Sequence, residues 1–395
     1  MAESTAEVIW SQCPVCQGAD VRTFFTLPNV PVLCNVLYPT LGDARNAARG
    51  DIQLNFCRTC GHIYNARFDP NMLRYAQNYE NSLHFSPSFQ RYITAQIDDL
   101  IARHDLHDKT IVDVGCGKGE FLTEICERGQ NRGFGFDPSY VPTGTEPESV
   151  QFVQDLYSEK YSEYHADLVA CRHVLEHVAP PTDLIRAVFS AIATPDQTTV
   201  FFEVPNALYT VRDMGIWDII YEHFSYFTAN SLFAAFARGG YLVHQIQETY
   251  GGQFLTIETQ VGTGEQATLD AVLPMAQLDA MIEAFAENDR RKKQEWGQKL
   301  SGLAAEGQRT VVWGSGSKGV TFVNAMHPQA KIDYVVDINP RKHGMFVAGT
   351  GQKIVPPDFL RGYQPDLVLI MNPIYHNEIQ QMLSERGIQC EVQLV

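Results

Sequence analysis

The stretch IVDVGCGKGEF, residues 111–121, decides the fold of this chain. An apolar, strand-like run ends at Val114, and a helical pattern begins after the glycines Gly115, Gly117 and Gly119. Glycines at such a turn let the backbone approach a ligand, while the first amides of the helix face it. The spacing is GxGxG and not the GxGxxG of dinucleotide binding. The stretch therefore predicts a strand–turn–helix unit that holds a nucleotide-type cofactor.

Strand and helix signals alternate after this unit. The strands GFGFD, VQFVQD, ADLVACRHV and TTVFFEVP are separated by helical or loop segments, which predicts a parallel sheet covered by helices. Asp137 ends the first of these strands, where a carboxylate accepts hydrogen bonds from ribose hydroxyls, and Asp155 follows the next. The segments YLVHQIQET and QFLTIETQV, joined through Gly251 and Gly252, predict an antiparallel edge hairpin.

Four cysteines precede the sheet as two CxxC pairs, Cys13 with Cys16 and Cys57 with Cys60. Four thiolates suit a closed, tetrahedral zinc site with no open position for chemistry, so we expect a structural Zn²⁺. His62 is a weaker alternative ligand. The neighbouring stretch LPNVPVLCNVLYPT contains three prolines and reads as a loop.

A second strand–glycine–helix unit, TVVWGSGSKGVTFVNAM, begins at Thr310 after a helical connector. Its Gly314, Gly316 and Gly319 form a full GxGxxG, and Asp337 ends the next strand. Three interpretations stay open: NAD(P) binding, binding of part of a substrate, in which Lys318 meets a phosphate or carboxylate, or a structural turn. The predicted domains are 1–80, 81–268, and 269–395, the last comprising the connector and a smaller Rossmann-like α/β domain.

Two segments gather groups that move protons. Cys171–His177 follows the fourth parallel strand and contains His173, Glu176 and His177 as HxxEH. A metal at HxxEH is rejected here, because the segment lies at a strand end and the chain shows no obvious third ligand. The second segment, 221–227, places Glu222 beside His223, where a carboxylate raises the basicity of an imidazole or fixes its tautomer.

Composition limits the partners. The 395 residues are 45% apolar and carry a formal charge of −16, which opposes binding to nucleic acid or to an anionic membrane. The N-terminus has no secretory pattern, and no apolar run approaches the roughly 18–20 residues of a membrane span. Nine cysteines, four of them in CxxC pairs, favour a reducing cytoplasm. The oligomeric state has no signature in the sequence.

The ordered motifs resemble class I S-adenosylmethionine-dependent methyltransferases. Together with the four-cysteine unit, the LEH and EHxxYF segments and the third α/β domain, they are similar to the three-domain zinc-containing C-methyltransferases, such as the sugar C-methyltransferases. The resemblance implies donor contacts at Gly115, Gly117 and Asp137, and places His177, Glu222 and His223 in the catalytic cleft. It also implies that Tyr79 reaches the substrate from the N-terminal region. The remaining expected site residues are Gly119, Asp155 and His173 for the donor, and Cys13, Cys16, Cys57 and Cys60 for zinc.

One position departs from that pattern. The sugar enzymes carry a tyrosine three residues before the EH histidine, and Ile220 stands there in this chain. Tyr221 and Tyr226 are neighbouring candidates to replace it.

The expected function is methyl transfer from S-adenosylmethionine to a small molecule. We expect C-methylation through an enolate, with His223 as base supported by Glu222 and His177 assisting or polarising the oxygen. The substrate expected from the resemblance is a nucleotide-linked sugar or another secondary-metabolite intermediate. O- or N-methylation by the same histidines stays open, as does a nicotinamide-dependent oxidoreductase. A zinc-ribbon RNA-binding protein is opposed by the negative charge.

Overall fold

The computed structural model describes residues 10–73, 79–142, 144–262, 264–328 and 330–395. The strands of the described chain are β1 Val21–Pro31, β2 Arg49–Cys57, β3 Ile63–Asn65, β4 Thr110–Val114, β5 Arg132–Phe136, β6 Val150–Val153, β7 Leu168–Arg172, β8 Thr199–Pro205, β9 Ser225–Tyr226, β10 Tyr241–Thr249, β11 Phe254–Val261, β12 Thr310–Trp313, β13 Ile332–Val336, β14 Lys353–Val355, β15 Leu367–Ile370 and β16 Glu391–Leu394. The α-helices are α1 Leu41–Arg45, α2 Pro87–His104, α3 Glu120–Gly129, α4 Pro181–Ala191, α5 Ala207–Val211, α6 Ala229–Arg238, α7 Met275–Ala305, α8 Ser317–Met326, α9 Leu360–Tyr363 and α10 His376–Glu385.

The central sheet has seven strands in the order β10-β11-β8-β7-β4-β5-β6. Strands β4 to β8 pair in parallel, and β11 joins β8 antiparallel. The predicted hairpin is confirmed, because β10 and β11 pair antiparallel over their whole length. This mixed sheet with helices on its faces is the class I methyltransferase arrangement expected from the sequence. Strand β4 is buried from Ile111 to Val114, which explains its continuous apolar character.

The first sheet is antiparallel, in the order β1-β2-β3-β9. The prediction of a loop for LPNVPVLCNVLYPT is wrong for its first five residues, which lie in β1. Among the strands that the structure describes, β1 pairs only with β2, and its register shifts between Leu27 and Val30. Pro28 is tolerated there because an edge strand with a bulge does not need every backbone N–H.

The third sheet is parallel, in the order β14-β13-β12-β15-β16. Strand β12 leads through the glycine turn into α8, as the sequence predicts. The connector is the long helix α7, whose residues Leu278, Ile282 and Phe285 are buried on one face. The polar run that follows them is mostly exposed.

The first and third sheets share one hydrophobic core. Phe285 of α7 packs edge-on against Phe25 of β1, with ring centroids 5.4 Å apart. Phe322 of α8 packs against Trp217, at 4.9 Å, and against Trp296 of α7, at 5.8 Å. The same buried cluster includes side chains of β2, β3, β12 and β15.

The predicted domain limits stay a prediction. One strand pairs with a sheet on the other side of such a limit. Strand β9 lies inside the range 81–268, yet it pairs with β3 of the first sheet. Among the described helices, none combines the length and apolar character that a membrane span requires.

Candidate functional site

The turn after β4 is shaped by three glycines in the left-handed region. The φ angles are 72° at Gly115, 56° at Gly117 and 82° at Gly119. A Cβ on Gly115 would lie 2.3 Å from Val174, and one on Gly119 would lie 2.2 Å from the Phe152 ring. No described protein atom lies within 4 Å of such an atom on Gly117. The turn therefore packs tightly on both sides and leaves open space over its middle.

Asp137 lies against this open part of the turn. Its carboxylate accepts hydrogen bonds from the N–H of Gly117, at 3.0 Å, and from the N–H and hydroxyl of Ser139, at 2.7 and 2.6 Å. The structure thus brings together the expected glycines and Asp137. Asp155 points elsewhere: its carboxylate is held by Lys160 and by the Tyr161 hydroxyl, which lower its pKa. The contact of Asp155 with the methyl donor stays a prediction.

Residues 115–119, which we call the cofactor turn after the cofactor that the sequence predicts there, adjoin the HxxEH segment, since Gly115 faces Val174. His173 of that segment has a left-handed φ of 55°. Its Nε2 lies 3.0 Å from Glu203, which also accepts a hydrogen bond from Arg172 at 2.6 Å. His173 is therefore held in place by a buried hydrogen-bond network. Its contact with the methyl donor stays a prediction.

Glu203 is a residue that sequence reasoning missed. It is fully buried in β8, and Tyr92 and Gln96 of α2 also donate to its carboxylate. Burial opposes its charge, but Arg172 and His173 more than compensate and lower its pKa. The sequence contains one signal for this residue: it is an acidic residue inside the apolar strand TVFFEVP, where an unpaired carboxylate is costly.

A cavity of about 320 Å³ opens beside these elements. One wall is the carboxyl edge of the central sheet, with His173, Glu176 and His177 after β7. The second is residues 79–86, and the third is the glycine turn before α8 together with Asn339 and Lys342. Ligands of open α/β sheets bind outside the carboxyl ends of the strands, and the cavity lies at that edge of the central sheet.

Residues 79–86, which we call the strap, connect the cavity to the cofactor turn. Buried Glu80 pairs with Lys118 of the turn and, at 3.2 Å, with Arg341 of the third sheet region. Ser82 donates to Glu120 at the start of α3, at 3.0 Å. The strap therefore touches both the predicted donor site and the cavity wall.

Two imidazole rings pack edge to face on the cavity wall. The ring centroids of His177 and His223 are 5.0 Å apart. His177 Nδ1 lies 2.9 Å from the carbonyl oxygen of Glu222, so Nδ1 carries the proton and Nε2 holds the lone pair. Burial lowers the pKa of His177 to about 4 and that of His223 well below its usual value. Both rings are therefore neutral in the folded protein.

Glu222 does not support His223 in the expected way. Its buried carboxylate accepts from the Tyr79 hydroxyl and from the N–H of Cys34, each at 2.6 Å. Burial raises the pKa of this carboxyl to about 7. The structure thus joins Tyr79 with Glu222 and His177 with His223. Glu222 contacts the His177 imidazole through its backbone carbonyl.

Neither neighbouring tyrosine replaces the one missing at Ile220. Ile220 itself lines the cavity. The Tyr226 hydroxyl bonds back to the N–H and carbonyl of Ile220, at 3.1 and 2.8 Å. Tyr221 is buried against Phe68 and accepts from the N–H of Asp69 at 3.0 Å. Both hydroxyls are committed to the protein, and the cavity wall is apolar at this point.

The four cysteines converge on one point, with ligand atoms all within 4.8 Å of one another. The Sγ–Sγ distances are 3.6 Å for Cys13 and Cys60, and 3.5 Å for Cys16 and Cys57. The fifth candidate, His62, lies outside this group and is buried against the rings of Tyr64 and Phe227. Four sulfurs at such separations fit the donor set of a tetrahedral metal site.

The second glycine turn opens into the cavity. Within the described chain, no atom comes closer than 4.0 Å to the place a Cβ would take on Gly314 or Gly316, so space remains over them. Asp337 accepts from the N–H and hydroxyl of Ser315 at 2.9 and 2.6 Å. Asp337 also lines the cavity, so its contacts with its own loop resemble those of Asp137 and leave the three interpretations of this turn open. Lys318 pairs with Asp218 at 2.8 Å on the same wall.

Two family models match the chain. A methyltransferase domain covers residues 89–246, and a C-methyltransferase C-terminal domain covers residues 261–391. The first contains the cofactor turn, both imidazoles and Glu222. The second contains α7 and the glycine turn before α8.

Among curated proteins, the chain is similar to the C-methyltransferase NovU of Streptomyces niveus, with 23% identity over 391 residues that cover 93% of this chain and 91% of NovU. It is also 35% identical over 122 residues to the ubiquinone biosynthesis O-methyltransferase of Yersinia enterocolitica, which covers 28% of this chain and 49% of that protein. Among solved structures, magnesium protoporphyrin IX methyltransferase from Synechocystis matches with 15% identity and a TM-score of 0.34, over 44% of this chain and 83% of that one.

Proposed function

Because the chain is an S-adenosylmethionine-dependent methyltransferase with a C-methyltransferase C-terminal domain, we propose that it methylates a carbon atom of a small keto compound. The observation that carries this proposal is the pair of neutral imidazoles, His177 and His223, on the wall of the cavity beside the cofactor turn. A carbon next to a carbonyl becomes a nucleophile when a base removes its proton.

The glycine turn and Asp137 hold the donor in this proposal. The open space over Gly117 admits the cofactor close to the backbone, and the amides at the start of α3 face it. Asp137 accepts hydrogen bonds from the ribose. The bound cofactor supplies an electrophilic methyl group. Gly115 and Gly119 shape the turn by their packing against Val174 and Phe152.

His223 takes the substrate proton. Its ring lines the cavity, and burial keeps it neutral, so a lone pair is available without prior deprotonation. His177 presents Nε2 toward the same space, because its Nδ1 is bound to the carbonyl of Glu222. Tyr79, held by the Glu222 carboxylate, is placed at the cavity wall to orient the substrate oxygen.

The substrate class we propose is a nucleotide-linked sugar or another keto intermediate of secondary metabolism. NovU, a similar C-methyltransferase over nearly the whole chain, supports this class. The glycine turn before α8, with Lys318 beside it, binds the part of the substrate distant from the reacting carbon. Ile220 makes the reacting end of the cavity less polar than a tyrosine would.

We also propose that Cys13, Cys16, Cys57 and Cys60 bind one structural Zn²⁺. All four ligands are thiolates, which leaves no open coordination position for chemistry. The ion would fasten the segment around Cys13 to the turn that follows β2.

The test is incubation of the enzyme with a donor carrying a ¹³C-labelled methyl group and a pool of small keto compounds and nucleotide-linked sugars, followed by NMR of the product. We expect the label bonded to carbon. A label on oxygen or nitrogen would replace the enolate route with direct deprotonation of a hydroxyl or amine by the same histidines.

A further inference from the structure

A metal-ligand set lies on the cavity wall, separate from the four cysteines. Glu176, His177 and His223 bring one carboxylate and two imidazoles together, with ligand atoms within 4.8 Å of one another. Sequence alone offers no third ligand for the HxxEH segment. His223, distant along the chain, supplies it.

Two atoms of this set are buried and have no hydrogen-bond partner among the described residues. They are Glu176 Oε2 and His223 Nδ1. Glu176 is only 2% exposed, and the structure gives it no lysine or arginine partner within the described residues. Buried polar atoms are normally paired, and a buried carboxylate without a cation is costly. Both atoms are therefore available to bind a cation.

His177 is oriented as metal-bound histidines usually are. Its Nδ1–H donates to the backbone carbonyl of Glu222 at 2.9 Å, which directs the Nε2 lone pair away from that carbonyl. Nε2 lies 3.9 Å from Glu176 Oε1. A ligand histidine commonly donates its other nitrogen to a carbonyl or carboxylate, which fixes both tautomer and ring orientation.

We propose that Glu176, His177 and His223 bind a divalent transition-metal ion such as Zn²⁺ or Co²⁺. Imidazole and carboxylate donors suit these ions, and three protein ligands leave coordination positions open toward the cavity. This makes the ligand set unlike the four cysteines, which close their own site.

The ion inhibits methyl transfer, a consequence that rests on the proposed role of His223. A metal on Nδ1 leaves the remaining ring proton on Nε2, so neither nitrogen accepts a proton from the substrate. Methyl transfer and metal binding therefore exclude each other at this histidine.

The binding test uses the whole protein with its cysteine cluster already loaded with zinc, titrated with Co²⁺. We expect a visible d–d absorption band without the thiolate-to-cobalt charge-transfer band that cysteine ligation produces. No uptake of Co²⁺, or uptake with the thiolate band, would overturn the proposal.

Two variants locate the ion. Glu176→Gln keeps the side-chain shape and should weaken Co²⁺ binding at least tenfold. His173→Asn, next to Glu176 but outside the ligand set, should retain it. Zinc content and far-ultraviolet circular dichroism verify that both variants are folded. Unchanged Co²⁺ affinity in Glu176→Gln would contradict the assignment.

An activity measurement separates this inference from the proposed function. Added Co²⁺ should lower turnover with the same concentration dependence as the absorption band, and a mild chelator should restore it. Metal binding without inhibition would leave the site in place but remove His223 as the base. Stimulation would overturn the inhibitory role.

Discussion

Burial decides the state of the single side chains around the cavity. It keeps His177 and His223 neutral and raises the pKa of Glu222 to about 7. The Tyr79 hydroxyl and the Cys34 N–H hold that carboxyl in place, which turns it away from the imidazoles. The two histidines that we propose to transfer protons are thereby separated from the carboxyl group that holds Tyr79.

Replacing His223 tests the proposed base. His223→Ala should retain donor binding, because the cofactor turn and Asp137 are unchanged, and should lose turnover by about 10²–10⁴-fold, the usual contribution of a general base. Calorimetry measures binding, and transfer of the labelled methyl group measures turnover. His244→Ala removes an exposed histidine of β10 and should behave as the unchanged protein. A fully active His223→Ala would assign the proton to another group.

At this scale, sequence indicates the residue types more reliably than their partners. The motifs single out His177, Glu222 and His223, and the family resemblance adds Tyr79. The structure places all four together. The predicted pairing is wrong, since adjacency in sequence suggests Glu222 for His223. Side chains of neighbouring residues leave the backbone in different directions, so only the fold decides which ones meet. Glu203 and its partners on α2 are hidden from sequence reasoning for the same reason.

At the scale of elements, the two glycine turns differ in backbone and in packing: all three glycines of the first have a left-handed φ, whereas in the second only Gly314 does. In the first, Gly115 and Gly119 are packed against side chains and Gly117 is open. In the second, Gly319 allows α8 to approach the carbonyl of Gly314, while Gly314 and Gly316 face the cavity. Spacing alone predicts both turns, because a strand, glycines and a helix in sequence leave few alternative geometries.

Glycine replacements in the first turn should separate packing from binding. Gly119→Ala places a methyl group into the Phe152 ring at a φ of 82°, so it should lower both stability and donor affinity. Gly117→Ala meets no atom of the described chain and should cost only about 1–2 kcal/mol of left-handed strain, yet weaken donor binding at least tenfold. Gly302→Ala in α7, with nothing described within 4 Å, is the control. Thermal unfolding and calorimetry give the two readouts, and full donor affinity in Gly117→Ala would contradict the placement of the cofactor.

The cysteine loops form the other testable element. After a mild chelator has removed any ion from the cavity, the purified protein should contain a single zinc ion per chain by mass spectrometry, because four thiolates converge on one point. Cys60→Ser should lose the ion and unfold at lower temperature. Cys390→Ser, in the third sheet region away from the cluster, should keep both properties. Equal zinc content in the two variants would show that the ion is held elsewhere.

At the scale of the whole molecule, the first and third sheets pack into one unit because they share a hydrophobic core. Helix α7 joins them, and Phe285 packs on β1 while Trp296 packs on Phe322 of α8. Sequence predicts separate domains from composition and strand order. It does not reveal this shared core, because contacts between Phe25 of β1 and the distant Phe285 leave no local pattern.

A single unfolding transition should follow from that core. Tryptophan fluorescence reports on all four tryptophans, which include Trp217 and Trp296 of this core, and zinc release reports on the cysteine cluster. The two signals should therefore change together in urea. Phe322→Ala should shift both curves and lower the free energy of unfolding by about 3–5 kcal/mol, the usual effect of a large cavity. Leu156→Ala, on an exposed side chain, should leave both unchanged. Two separated transitions would contradict the shared core.

Because β1, α7 and α8 are buried together, they also limit which segments of the chain can be exchanged with those of a related protein. If two related genes were joined between the methyltransferase region and α7, then α7 of one parent would pack against β1 of the other. Their buried side chains would not match, although the joint lies between two segments of the sequence. Chimaeras that alter substrate choice therefore need to inherit the two ends of the chain from the same parent and vary the middle segment.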